Sequence, residues 1–157
     1  MSGGMKIGVR SETVDQPDAI ALVGELDEHL NALYPPDSRH GLNIEALRAA
    51  NVRFVVARDE AGRPHGCGAI VFKEGFAELK RMYTRPSSRG RGVAAAVIGF
   101  LEGQARELGY SIVRLETGVK QREALSFYEG RGYARRSVFE GYKADPLCIF
   151  MEKQLAL

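Results

Sequence analysis

The stretch R-P-S-S-R-G-R-G-V-A-A-A, Arg85 to Ala96, sets three arginines and two glycines against the start of an alanine-rich apolar run. Downstream, Val93, Val97, Ile98, Leu101, Ala105 and Leu108 recur at helical spacing and Gly109 closes the run, so a long amphipathic helix begins here. The first N–H groups of a helix lack internal partners, and the helix dipole adds partial positive charge at that end. Gly90 and Gly92 open dihedrals closed to other residues and clear the backbone for close approach, while Arg89 and Arg91 add full charges. Ala94, Ala95 and Ala96 keep the first turn free of bulk. Such a turn holds a phosphate or pyrophosphate. Alone it also reads as a solvated glycine loop or a short RG-type RNA segment.

Working outward, Phe76–Thr84 reads as a strand entering the turn and Ser111–Thr117 as one leaving the helix, a parallel β-α-β unit. On the N-terminal side, Met5–Arg10 is a first strand. Ile20, Val23, Leu26, Leu30 and Leu33 mark a helix capped by Asp15 or Asp18, with Pro17 in its first turn. A polar loop runs from Tyr34 to Leu42, and a short helix covers Ile44–Ala50. Val52–Arg58 and Gly66–Phe72 form a hairpin about the turn Asp59–Pro64. On the C-terminal side, Gln121–Arg131 is a helix ended by Gly132. Two short strands, Tyr133–Phe139 and Leu147–Lys153, flank the loop Glu140–Pro146. The order β α α β β β α β α β β implies an α/β domain around one mixed sheet, largely antiparallel at first.

The bounds are those of an ordinary globular chain. A length of 157 residues with 45% hydrophobic and 27% charged residues fits one domain, 1–157, with residues 1–5 expected to fray. Twenty-two basic against 20 acidic residues leave a net charge of +2, which argues against a dedicated nucleic-acid binder. No apolar run is long enough for a membrane span, and the start Met1-Ser2-Gly3-Gly4-Met5 has no apolar signal core, so a cytoplasmic location is expected. Cys67 and Cys148 sit among apolar neighbours and read as small buried hydrophobes. His29, His40 and His65 show no metal-ligand spacing, so no metal is expected.

The opening turn lacks the G-x-x-x-x-G-K-[ST] run of a Walker loop, and Gly90-Arg91-Gly92 leads to Ala95 where a Rossmann pattern ends in Gly or Ala. Antiparallel strands precede it, which is not the Rossmann context. Arg89-Gly90-Arg91-Gly92-Val93-Ala94 matches [QR]-x-x-G-x-[GA], and so resembles the pyrophosphate motif of the GNAT superfamily of N-acetyltransferases. About 30 residues on, Gln121, Ala124, Tyr128, Gly132 and Tyr133 match by position a second element of that family, a helix ending in a Gly-aromatic pair. The family's asparagine is here Gln121, one methylene longer. Positions i, i+3 and i+7 place Gln121, Ala124 and Tyr128 on one helical stripe, along which a cofactor arm fits. Ala77–Met82, Leu115–Gly118 and Asp145–Leu147 look like a bacterial branch of the family that includes indole-acetate-type acetyltransferases. The resemblance spans about residues 7–154.

It implies the GNAT acyl-CoA N-acyltransferase fold, α/β (α+β), with a mixed six- to seven-stranded sheet and about four helices. It implies acetyl-CoA as donor and a small-molecule amine as acceptor, with no nucleic acid or membrane partner; a homodimer is compatible with it. Main-chain groups of Met82, Tyr83 and Thr84 would bond the pantetheine arm, Arg89, Gly90, Arg91, Gly92, Val93, Ala94 and Ala95 the pyrophosphate, and Gln121, Ala124 and Tyr128 would line the arm's other side. Tyr128 would be the general acid that protonates the leaving thiolate, since a phenol near pKa 10 is protonated at neutral pH. Glu78, then Glu116, are the candidates for the base that deprotonates the amine. Tyr34, Arg39, His40, Arg81 and Tyr142 are expected around the acceptor; Lys80 joins Arg39, His40 and Arg81 as an anion-binding edge for an amine that also carries a carboxylate. The alternative to an enzyme is a non-catalytic acyl-CoA-binding sensor on the same fold.

Overall fold

The computed structural model describes residues 5–156; the expected fraying of residues 1–4 lies outside them. Seven strands form one sheet in the order β1-β2-β3-β4-β5-β7-β6: β1 Gly8–Ser11, β2 Val52–Arg58, β3 Pro64–Phe72, β4 Ala77–Thr84, β5 Ile112–Gly118, β6 Ala134–Arg136 and β7 Cys148–Gln154. Four α-helices accompany it: α1 Pro17–Leu33, α2 Ile44–Leu47, α3 Val93–Glu107 and α4 Arg122–Gly130. Short 3-10 turns occupy Pro36–Ser38 and Pro86–Ser88. Neighbours pair antiparallel except β4 and β5, which α3 joins as a parallel crossover.

Alternation along the central strands divides the core in two. Phe54, Val56, Cys67 and Ala69 pack beneath Ala19, Leu22 and Val23 of α1. Their neighbours Val55, Ala57 and Ile70 point the other way, against Val97, Ile98 and Leu101 of α3, and Tyr128 of α4 belongs to this second cluster. Gly68 lets α3 lie close on the sheet, because a Cβ there would come within 2.7 Å of Met82 Sδ and of a Val97 methyl.

Local boundaries differ from expectation where side-chain bonds decide them. The α1 N-cap is Gln16, not Asp15 or Asp18, and it makes no side-chain cap bond. Its amide turns to Glu12 and Thr13, and Asp18 binds Arg58. The first strand begins only at Gly8, where pairing with Arg58 begins. The helix expected over Ile44–Ala50 is one turn capped by Asn43, whose Oδ1 accepts from the Ala46 N–H at 2.8 Å. The strand expected over Tyr133–Phe139 holds only Ala134–Arg136; Phe139 leaves the sheet to pack on Phe76 and Phe150.

Two irregularities in β4 shape everything that follows. Its pairing with β5 is confined to Ala77–Val113 and Glu78–Arg114, so from Leu79 onward the two strands part. Its pairing with β3 slips between Cys67 and Ala69, with one extra residue on β4, and Arg81 there has φ 57°, the one positive value outside glycine among the described residues. A bulge of this kind bends a strand and re-aims its side chains.

Candidate active site

The parting of β4 and β5 opens a cleft of about 110 Å³. One wall is the bulged run Leu79–Met82 and the other is Leu115–Gly118. Backbone groups on the β5 side of β4 beyond Glu78 have no partner strand, and an extended ligand can take their hydrogen bonds.

Gln121, Ala124 and Tyr128 all line this cleft, as the i, i+3, i+7 stripe requires. Tyr128 is held from behind: its ring meets those of Phe127 and Tyr133 edge to face, and its carbonyl accepts from the Tyr133 N–H at 3.0 Å. Tyr133 is pinned in turn by its hydroxyl, which donates to buried Glu102 at 2.8 Å. The Tyr128 hydroxyl finds no hydrogen-bond partner among the described residues, yet it is not sealed off. Burial pushes this phenol above its ordinary pKa, so it is protonated at neutral pH. Gln121 is the residue before α4, and its Oε1 accepts from the Gly118 N–H at 3.2 Å, which leaves its amide N–H groups for the cleft. The extra methylene relative to asparagine lets the side chain fold back in this way.

At one end the chain runs from β4 through Pro86–Ser88 into the turn before α3. Gly90 and Gly92 have φ of 76° and 82°, so both need the left-handed region that glycine supplies without strain. A Cβ at either would meet nothing, so the requirement is conformational rather than steric. Arg89 and Arg91 are exposed and form no ion pair among the described residues. Val93 is buried as the first core residue of α3; Ala94 and Ala95 are half-buried on the same turn. Tyr83 and Thr84 stay paired with β3, and the Tyr83 hydroxyl donates to Glu25 at 3.1 Å on the opposite side of the sheet. A main-chain role for them is left open by this geometry; a side-chain role for Tyr83 is not.

The two candidate bases separate. Glu78 is fully buried and does not line the cleft. Its Oε1 accepts from Lys73 at 2.6 Å; its other oxygen accepts from the Tyr142 hydroxyl and lies 3.5 Å from Lys80. The expectation that Glu78 is the first-choice base is therefore corrected: its lone pairs are spent on a buried ion network. Tyr142 is likewise withdrawn from the acceptor set, being bonded to Glu78 and Lys80 outside the cleft lining. Lys80 reaches the lining, but it donates to the His40 carbonyl at 2.8 Å and to Tyr142, and burial lowers its pKa. It is no free anion hook.

Glu116 does line the cleft, with His40 Nδ1 3.7 Å from its Oε1. Tyr34, Arg39 and Arg81 line it too. Tyr34 anchors this end, its hydroxyl accepting from the Lys120 N–H at 3.0 Å; burial raises its pKa. Ser38 ties the same loop to Asp145 at 2.6 Å. Cys148 completes a grouping that sequence spacing could not show: donor atoms of His40, Glu116 and Cys148 all lie within 4.8 Å of one another. Burial first, then Glu116, pushes the Cys148 thiol up to about 12, and burial does the same for Cys67. Both are neutral thiols, not nucleophiles.

A cleft where two parallel strands part, lined by a buried tyrosine, fits the acyltransferase class to which the chain's relatives belong. The chain belongs to the Acetyltransferase (GNAT) family, whose pattern matches residues 23–133. It is 38% identical over 151 residues to an IAA acetyltransferase of Azospirillum brasilense, covering 95% of this chain and 98% of that one. An uncharacterized N-acetyltransferase of Bacillus subtilis is 32% identical over 148 residues, covering 90% and 97%. Among solved structures, a Klebsiella pneumoniae protein assigned as an acyl-CoA N-acyltransferase superposes with TM-score 0.80 at 34% identity, covering 96% and 98%. The PaiA N-acetyltransferase of Thermoplasma acidophilum, solved with coenzyme A, shares the fold at TM-score 0.75 and 18% identity, covering 96% and 100%. No described helix is long and apolar enough to cross a membrane.

Proposed function

We propose that this acetyltransferase moves the acetyl group of acetyl-CoA directly onto a primary amine of a small molecule. The observation that carries the reading is Tyr128, a buried residue of the cleft between β4 and β5 whose hydroxyl has no hydrogen-bond partner among the described residues. The fit of the donor rests on residues present: unpaired strand groups along β4 for an extended amide arm, and a positive-φ glycine turn with two unpaired arginines for a diphosphate.

An amine attacks only when neutral, yet a lysine-like amine has a pKa near 10.4. Glu116 is the carboxylate beside the acceptor space and takes that proton, directly or through water. A main-chain N–H near Met82 or Tyr83 faces the developing oxyanion. Tyr128 gives its proton to the thiolate as it departs. The proton that Glu116 took from the amine passes to solvent, and solvent reprotonates the phenolate. The free thiol, with a pKa near 8.5, stays protonated at neutral pH. The test is amine-dependent release of free thiol from acetyl-CoA across a primary-amine panel. Release with small amines supports the reading. Tight acetyl-CoA binding with no release for any amine contradicts it and would mark a sensor instead.

A further inference from the structure

Five buried side-chain nitrogens among the described residues have no hydrogen-bond partner: Arg39 Nε, His40 Nδ1, Arg81 Nε, Arg81 Nη1 and Arg131 Nε. Four of the five belong to residues lining the one cleft, two chain neighbours from the Tyr34–Leu42 loop and one bulge residue from β4. An unpartnered buried donor on a cationic group is costly, and native structures keep few of them. Here the three unmet donors of Arg39 and Arg81 all belong to residues of that cleft, whereas His40 Nδ1 faces Glu116 Oε1 at 3.7 Å.

Arg81 is the centre of the group. Its side chain is 3% exposed, and its one ion-pair partner among the described residues is Asp27, which takes Nη2 at 2.6 Å. The bulge and its positive φ fix where this guanidinium points. Gly41 lies directly over it, so that a Cβ there would fall onto Nη1. The wall above Arg81 is thus bare backbone of the coil 39–43, which belongs to no helix or strand.

We propose that these donors form an anion subsite and that the acceptor of this acetyltransferase is an amino acid-like molecule, a primary amine that also carries a carboxylate. The substrate class rests on the transfer reading above; the subsite does not. Charge favours a monoanion over a phosphate dianion. Arg39 and Arg81 bring two positive charges, Asp27 already answers Arg81, Glu116 stands opposite, and Lys80 shares Glu78 with Lys73 and is bonded to the His40 carbonyl. A planar carboxylate also suits a guanidinium fork. With the carboxylate held there, the amine is left to face Glu116 across the same cleft.

The experiment measures equilibrium binding, with coenzyme A present, of four matched sets: L-amino acids, their amides, their decarboxylated amines and their aminophosphonates. Thiol release from acetyl-CoA is followed for the same compounds. The carboxylates are expected to bind at least tenfold tighter than amides and amines, and Arg39→Gln to remove most of that preference while leaving amide binding unchanged. Arg39 is only half-buried, so a Tm close to wild type is expected and is measured alongside. Equal binding of acid and amide, no binding of any acid, or tenfold tighter binding of the aminophosphonate would each overturn the proposal. A carboxylate preference in binding without thiol release upholds the subsite and refutes the transfer reading. Release without a preference does the reverse.

Discussion

Glu78 Oε1 stands 2.6 Å from Lys73 Nζ, and the carboxylate is wholly inside the protein. The pair joins the β3–β4 turn to the middle of the sheet, and Lys80 and Tyr142 close the network from the other side. Glu78 is therefore expected to hold structure. Glu78→Gln leaves Lys80 buried against a neutral group and costs about 2–3 kcal/mol, the cost of breaking a buried pair reduced because Lys73 is partly exposed. Glu116→Gln should instead leave stability nearly unchanged and lower kcat. Urea unfolding and thiol release on both variants check the assignment, and a stable but inactive Glu78→Gln would reverse it.

His65 spans the gap between Asp59 and Ser88, with Nε2 2.8 Å from Asp59 Oδ2 and Nδ1 2.6 Å from Ser88 Oγ. The ring nitrogens are reversed relative to a hydrolase triad, in which Nε2 meets the serine, and Ser88 is 2% exposed and does not line the cleft. What the contact does is brace the residue immediately before Arg89. His65→Ala should raise the KM for acetyl-CoA about twofold to tenfold, the worth of one hydrogen bond, and leave kcat in place. A fall in kcat at unchanged KM would show a different role.

Gly92 opens α3 at φ 82°. Gly92→Ala must hold an L-residue in the left-handed region at a cost of about 1–2 kcal/mol, or shift the turn. Either outcome raises the KM for acetyl-CoA. Gly103→Ala, in the middle of α3 with open space at its Cβ, serves as the control and should stabilise by about 1 kcal/mol without touching KM.

Acid stability has an identifiable contributor at the far edge of the sheet. Arg58 donates to both Glu12 oxygens, at 2.9 and 2.8 Å, and holds that carboxyl near 2, down from 4.5. Because the folded-state value is depressed, the stabilisation is complete above pH 4.5 and is lost as pH falls toward 2. Glu12→Gln should lower Tm at pH 7 and converge with the wild type near pH 2. A gap that stays constant across this range would remove Glu12 from the account.

The fold and the Gln121–Tyr128 stripe were legible because they depend on local pattern: the stripe lies within one helix, and spacing alone brings its residues to the cleft. Arg89–Ala95 form one turn whose glycines take the positive φ expected of them, but these residues do not line the cleft. The acceptor half was legible only in part. Arg39, His40 and Arg81 reach the cleft, but the strand alternation that puts Glu78 near it cannot reveal Lys73 and Tyr142 waiting to consume its charge. Asp27 beneath Arg81, Cys148 beside Glu116 and Ser88 against His65 are pairings across 54, 32 and 23 residues, and no short-range signal announces them. The bulge at Arg81 left no mark either, since no glycine or proline stands there.

The central claim is that Tyr128 delivers the proton that releases the thiol, and single-turnover thiol release in Tyr128→Phe against wild type tests it most directly. The substitution keeps the ring contacts with Phe127 and Tyr133 and removes only the hydroxyl. The account predicts acetyl-CoA affinity and Tm close to wild type, with the amine-dependent rate lower by roughly tenfold to a thousandfold. A variant that binds acetyl-CoA normally and transfers at the wild-type single-turnover rate would contradict it.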